Sequence, residues 1–223
     1  MIVLTTEELL AINGMLDGKE INGIQLKPSG AAPEVRRQNI EQSLTRKEFL
    51  INGQLSDKFM ATAELVKRYK ASKHKVFINN LRIGLIDEDY AVVLELRPTW
   101  EISVSYVPRI TIVKKYIEAS EFLRGGQNPT FFGYDKKPCT IEEFEAELDR
   151  KEWPNMMLVQ TYTNNQLLIF KTYCFDDNKA YCYDHQEDIK QQRGPQDFRK
   201  DLVKVLKIEN AAGGDEFDDG TYH

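Results

Sequence analysis

This 223-residue sequence lacks every familiar catalytic signature. It has no phosphate loop: Gly18-Lys19-Glu20 lacks both the upstream glycine and the hydroxyl that would hold magnesium. G-x-G-x-x-G, H-E-x-x-H and G-x-S-x-G are also missing, so dinucleotide, zinc-protease and hydrolase chemistries have no motif to rest on. Cysteine is scarce. Cys139, Cys174 and Cys182 are an odd number without C-x-x-C spacing, which signals neither a disulfide framework nor a zinc site, and no cofactor is indicated. Histidine is as scarce. His223 lies in a tail, which leaves His74 among lysines at a helix end and His185 after a strand, positions where solvation or packing is the default role. No run approaches the roughly 18 apolar residues of a membrane span. Residues 1–10 have no cationic flank and include Glu7 and Glu8, unlike a signal peptide, so a cytoplasmic location is expected.

What is present is an ordinary globular composition, 41% hydrophobic and 29% charged, enough for a self-sufficient core. The net charge of −5 is uneven. Residues 34–75 hold ten Lys or Arg against five acids, a balance of +5, while residues 209–223 hold five acids and no Lys or Arg and read as an acidic disordered tail. Lys67, Arg68, Lys70, Lys73 and Lys75 around Tyr69 have the look of a phosphate-contacting face, but a solvated helix face looks the same and no nucleic-acid motif accompanies them.

Thr5-Thr6-Glu7-Glu8 predicts a capped helix with Leu9, Ile12 and Leu16 on one face. A short strand over 21–26, a helix over 34–44 and a helix over 56–71 follow. Residues 75–79, 82–86, 90–96 and 100–107 read as an antiparallel meander, with Asp87-Glu88-Asp89 as a tight turn and Trp100, Ile102, Val104 and Tyr106 facing the core. A helix with Val113, Tyr116 and Ile117 on one face then stops at Gly125-Gly126. Thr140-Ile141-Glu142-Glu143 caps another helix, buried through Ile141, Phe144 and Leu148. A second meander over 156–163, 166–173 and 179–183 turns at Asn164-Asn165, and a last helix over 195–207 buries Phe198, Leu202, Val205 and Leu206. The expectation is one α+β domain over 1–208, with pseudo-repeats at 56–123 and 140–207. Its two β-meanders form a pseudo-twofold central antiparallel sheet flanked by helices, one face being covered. Phe131, Phe132 and Tyr134 argue against a free linker over 125–138.

The phrases Leu4-Thr5-Thr6-Glu7-Glu8-Leu9-Leu10, Phe49-Leu50-Ile51-Asn52-Gly53-Gln54-Leu55 and Tyr90-Ala91-Val92-Val93-Leu94-Glu95-Leu96-Arg97-Pro98 resemble the EspG-type chaperones of type VII secretion and their uncharacterised Firmicutes relatives. The likeness covers most of residues 4–207. It implies a non-catalytic bacterial cytosolic adaptor that holds the apolar tip of a helical-hairpin secretion substrate, with no nucleic acid or membrane partner and with homodimerisation left open. With no W-x-G turn, the chain does not resemble a secreted substrate itself. No partner-binding residue transfers by motif. By alternation, Glu101, Ser103 and Ser105 line the uncovered sheet face, and Gln160 and Lys171 continue it on the second meander. Two other classes compete: a small enzyme using Cys139 or Cys182 with His185, and a weak nucleic-acid binder using the 67–75 face.

Overall fold

The capping box at Thr5 forms: Glu8 N donates to Thr5 Oγ1 at 3.2 Å and Thr5 N donates to Glu8 Oε2 at 2.7 Å. It joins strand β1 (Ile2–Thr5) to helix α1 (Thr6–Leu16). The structure, a computed structural model, describes residues 1–125, 136–150, 155–175 and 180–208. The chain divides into two compact units, Met1–Val107 with Tyr162–Gln166, and Pro108–Thr161 with Leu167–His223.

In the first unit, α1 is followed by α2 (Pro33–Arg46), a small hairpin of β2 (Leu50–Ile51) and β3 (Gln54–Leu55), and α3 (Asp57–Ala71). The meander is β4 (His74–Ile78), β5 (Leu81–Leu85), β6 (Tyr90–Leu96) and β7 (Glu101–Pro108), and its order in the sheet is β1-β7-β6-β5-β4. Chemistry at the turns sets the register. Asn52-Gly53, both at positive φ, close β2 onto β3, and Asp87 Oδ1 accepts from the amides of Asp89 and Tyr90. Residues 21–26, expected as a strand, instead form a turn in which Ile24 N donates to Ile21 O. Gly23 sits at φ +80°, and a Cβ there would lie 2.5 Å from the Phe77 ring, so only glycine fits. Ile21 and Ile24 still reach the core, where Leu9, Ile12, Val66, Tyr69, Leu94 and Ile102 pack with Phe49, itself edge-on to Phe59 at 5.9 Å.

Two aromatic residues expected inside lie outside. Trp100 closes the turn after β6 by donating to Arg97 O at φ +60°, which swings its side chain out to 83% exposure. Tyr106 stacks on Tyr90 at 4.9 Å and donates to Asp87, leaving Ile102 and Val104 to fill the core alone.

The second unit contains α4 (Arg109–Ala119), α5 (Glu121–Arg124), β8 (Lys137–Pro138), α6 (Ile141–Arg150), β9 (Asn155–Thr163), β10 (Gln166–Phe175), β11 (Ala180–Asp184), β12 (Ile189–Arg193) and α7 (Pro195–Val205). The strand order is β9-β10-β11-β12-β8. Thr140 and Glu143 form the second capping box, and α7 buries Phe198, Leu202 and Leu206 while Val205 stays half-buried. Strand β12, whose sequence IKQQR lacks an apolar face, was not legible as a strand; pairing with β11 makes it one. Helices cover both faces here, not one as expected. On one face Phe144 of α6 stacks on Tyr183 at 4.4 Å; on the other, Phe198 of α7 meets Tyr173 and Phe175. The fold class is α+β, antiparallel strands flanked by helices. Phe131, Phe132 and Tyr134 lie outside the described residues.

The second carboxylate oxygen of Glu8 accepts from Ser43 Oγ at 2.7 Å, and Oε2 also receives Lys47 Nζ at 2.6 Å, so a fully buried carboxylate is satisfied by three donors. Burial pushes this carboxyl up, but the hydrogen bonds from Lys47, Thr5 and Ser43 outweigh burial and leave it below its ordinary value. Breaking a buried pair costs about 3–5 kcal/mol. Glu8→Ala is therefore expected to lose that much in urea unfolding, and Glu8→Leu with Lys47→Met to recover part of it. Because the native pKa is depressed, the Glu8 contribution is full above the ordinary carboxylate range and disappears as pH falls through the native value.

Candidate functional site

The five residues expected on an open sheet face meet different fates. Ser103 is only 2% exposed and donates to Glu95 Oε2 at 2.9 Å, so it is not on an open face: both sides of β7 are buried at Ile102, Ser103 and Val104. Glu101, half-buried at the start of β7, accepts from Thr99 Oγ1, and Ser105 is half-buried further along. In the second unit Lys171 forms an ion pair with Asp184 at 3.4 Å and Gln160 is half-buried on β9.

Around Gln160 the hairpin presents apolar side chains to solvent. Met157, Val159 and Thr161 alternate inward along β9, while Met156 and Leu158 are exposed, and Leu167 and Leu168 are exposed on β10. Leu168 reaches 53% exposure and Met156 47%. Across the Asn164-Asn165 turn, Met156, Leu158 and Leu167 fall on one face of the hairpin and Leu168 on the other, and three exposed large apolar residues on one face are the kind of surface that marks a protein contact. The signal was present in the sequence: residues 156–159 and 167–170 carry apolar residues at consecutive positions, more than a strand with one buried face needs.

The thiols and histidines of the alternative enzyme reading sit in packed, hydrogen-bonded settings. Cys174 pairs across the ladder with Tyr181 and Cys182 with Tyr173, so the two cysteines point to opposite faces and both are free. Burial pushes Cys182 up to about 11 and Cys174 up to about 12, and it also raises half-buried Cys139, so each remains a protonated, poorly nucleophilic thiol at neutral pH. His185 is half-buried among aromatic rings. Its ring stacks on Phe170 at 3.8 Å, meets Tyr183 and Phe144 edge-on, and hydrogen-bonds Thr172 Oγ1 through Nε2 at 2.8 Å. His74 is bonded through Nδ1 to Thr163 Oγ1 at 3.0 Å. Among the described residues no His, Cys, Asp and Glu cluster could hold a metal, and no helix is long and apolar enough to cross a membrane.

Four of the five cations of 67–75 have partners within the protein, and Lys73 is exposed. Lys67 and Arg68 pair with Glu64, Lys70 reaches Asp17 and Asn13, and buried Lys75 donates to Ser72 O.

The chain matches no protein-family model and no curated protein sequence. Its fold is similar to that of the type VII secretion system chaperone EspG5 of Mycobacterium tuberculosis, solved in complex with the PE25–PPE41 dimer. The likeness has a TM-score of 0.53 over 96% of this chain and 98% of that one, at 10% sequence identity. The class defined is therefore an EspG-like α+β fold, shared without detectable sequence relationship.

Two outcomes check this description of the site. Native protein is expected to leave Cys174 and Cys182 unlabelled by iodoacetamide until it is denatured, as mass spectrometry would show. Burial, against Asp184, Asp188 and Glu145, holds the His185 pKa below its ordinary value. The unfolded chain therefore takes up its proton first as pH falls, and stability drops below about pH 6.5 toward the native value. His185→Phe is expected to flatten that segment of a stability-versus-pH curve.

Proposed function

We propose that this chain is a non-catalytic chaperone or adaptor that binds a helical partner protein of a type VII secretion pathway in the cytosol before export. The observation that carries the reading is the EspG5-like fold over nearly the whole chain, since EspG5 was solved holding the PE25–PPE41 dimer. Protonated thiols and a histidine enclosed by rings support a binding role over catalysis. One face of the β9–β10 hairpin is the proposed contact surface, with Met156, Leu158 and Leu167 supplying apolar area and Gln160 and the Lys171–Asp184 pair supplying polar complement. Glu101 and Ser105 remain proposed contacts on β7. Ser103, being buried, is left out.

Co-expression with the helical type VII substrates of its source, followed by light scattering on the eluted species, tests this. A one-to-one complex is expected. Leu158→Glu and Leu167→Glu should each weaken it at least tenfold, about 1.4 kcal/mol, with an unchanged far-ultraviolet spectrum. Failure of every such substrate to form a stoichiometric complex would overturn the reading.

A further inference from the structure

The tripeptide Ile-Asn-Gly occurs three times, at Ile12-Asn13-Gly14, Ile21-Asn22-Gly23 and Ile51-Asn52-Gly53, and the fold gives each copy a different setting. Asparagine before glycine is open to closure of its side-chain amide onto the next backbone nitrogen, because glycine has no side chain to hinder the approach. The three copies share that chemistry and differ in how firmly the native structure holds them.

Asn13 lies in α1, 6% exposed. Its Nδ2 donates to Lys19 O at 3.0 Å, its Oδ1 accepts from Lys70 Nζ at 2.6 Å and its carbonyl accepts from Gly18 N at 2.8 Å. Asn22 is half-buried and donates through Nδ2 to Asn165 Oδ1 at 2.9 Å. Its carbonyl accepts from Tyr69 Oη at 2.7 Å, and Gly23 O accepts from Arg82 Nε at 2.9 Å, while Gly23 itself packs on the Phe77 ring.

Asn52 has none of this support. It and Gly53 are exposed, turn β2 into β3 at φ +51° and +76°, and have open space where a Gly53 Cβ would stand. Among the described residues no hydrogen bond engages the Asn52 side chain or the Gly53 amide. Two strand pairs hold the turn, Leu50 with Leu55 and Ile51 with Gln54, and so short a hairpin is not stable alone. Ser56 N reaches Phe49 O at 3.0 Å beneath it, so the tip can open while the core stays folded.

We infer that Asn52 is a site of irreversible self-modification, its side-chain amide becoming a carboxylate with water as the co-reactant. With the turn open, the Gly53 backbone nitrogen gives its proton to hydroxide and attacks Asn52 Cγ. The new N–Cγ bond closes a five-membered imide as the Cγ–Nδ2 bond breaks and ammonia leaves. Water then opens the imide. Cleavage at the Cγ–N bond gives aspartate, and cleavage at the α-carbonyl gives isoaspartate, whose backbone carries one more carbon through the turn. Amide and water yield acid and ammonia, with no oxidation or reduction. The site is independent of the partner-binding function.

The test incubates the intact protein in mildly alkaline buffer and digests samples with trypsin at mildly acidic pH, where ring closure is slow. Cleavage puts the three asparagines on separate fragments, 1–19, 20–36 and 48–58. Chromatography with mass spectrometry is expected to show fragment 48–58 gaining the acid at least tenfold faster than the other two, as two isomeric products. In urea all three fragments are expected to convert at similar rates, because only the native fold distinguishes them. Asn52→Gln, which would have to close a six-membered ring, is expected to abolish conversion of 48–58. Equal native rates, a lead for Asn13 or Asn22, or a native ranking that persists unchanged in urea overturns the inference. So does conversion of 48–58 at the original rate in Asn52→Gln, which would place the acid on Gln54.

Discussion

Glu8 carries a negative charge into a core of leucine, isoleucine and phenylalanine side chains, and that charge is tolerable only because three donors, from β1 and α2, converge on it. Thr5 comes from the end of β1, Ser43 from α2, and Lys47 from the residue that ends α2. Satisfying the carboxylate therefore sets where α2 stops against β1. The consequences run along the chain. Phe49 N closes back on Leu44 O, Ser56 N reaches Phe49 O, and the Phe49 ring is delivered to Phe59 at the start of α3. Lys47 also donates to Val3 O, so the Val3 carbonyl and the Thr5 amide are both engaged by this network. These groups lie on β1, the terminal strand of the first unit's order, and their engagement removes them from pairing with a stray strand.

A second theme is the use of cations on helix ends. The last carbonyls of a helix lack intrahelical donors and carry partial negative charge, so a positively charged side chain placed there answers both needs. Lys75 donates to Ser72 O after α3, and Lys70 to Lys19 O just beyond α1. Arg109, only 7% exposed, donates to Leu206 O and Lys207 O beyond α7, and Arg199 to Leu123 O and Gly125 O around the end of α5. Of the ten cations in residues 34–75, Lys70 and Lys75 serve in this way. The buried Nε atoms of Arg36 and Arg193 have no acceptor among the described residues.

The second unit is rich in rings, with Phe144, Phe170, Tyr183 and His185 on one face of its strands and Tyr173, Phe175 and Phe198 on the other. Ring packing on both faces encloses the buried Cys174 and Cys182 and holds the half-buried His185 against Phe170, Tyr183 and Phe144. The exposed side chains of the β9–β10 hairpin are instead suited to contact. Rigid support beneath an apolar surface favours binding, because less side-chain and backbone freedom is lost when a partner arrives.

Elements whose signals are local were legible in the sequence. Both capping boxes, the Asp87 and Asn164-Asn165 turns and the apolar stripes of α1, α6 and α7 follow from spacings of two to four residues, where the chain itself brings the groups together. The antiparallel α+β class followed from the same spacings. What the spacings could not settle depends on residues far apart. Ser103 faces Glu95 and not water; Trp100 is thrown outward by a left-handed turn; β12 exists because β11 offers a ladder to a polar segment. The candidate site divides the same way. Gln160 and Lys171 were reached by alternation, but the exposure of Met156 and Leu167 depends on what packs beside them. By itself the sequence determined the local elements and their polarity, because those rest on short-range hydrogen bonds and periodicity. Only the tertiary structure decided which faces are buried and which charges are answered, because burial and pairing are sums over neighbours distant in the chain.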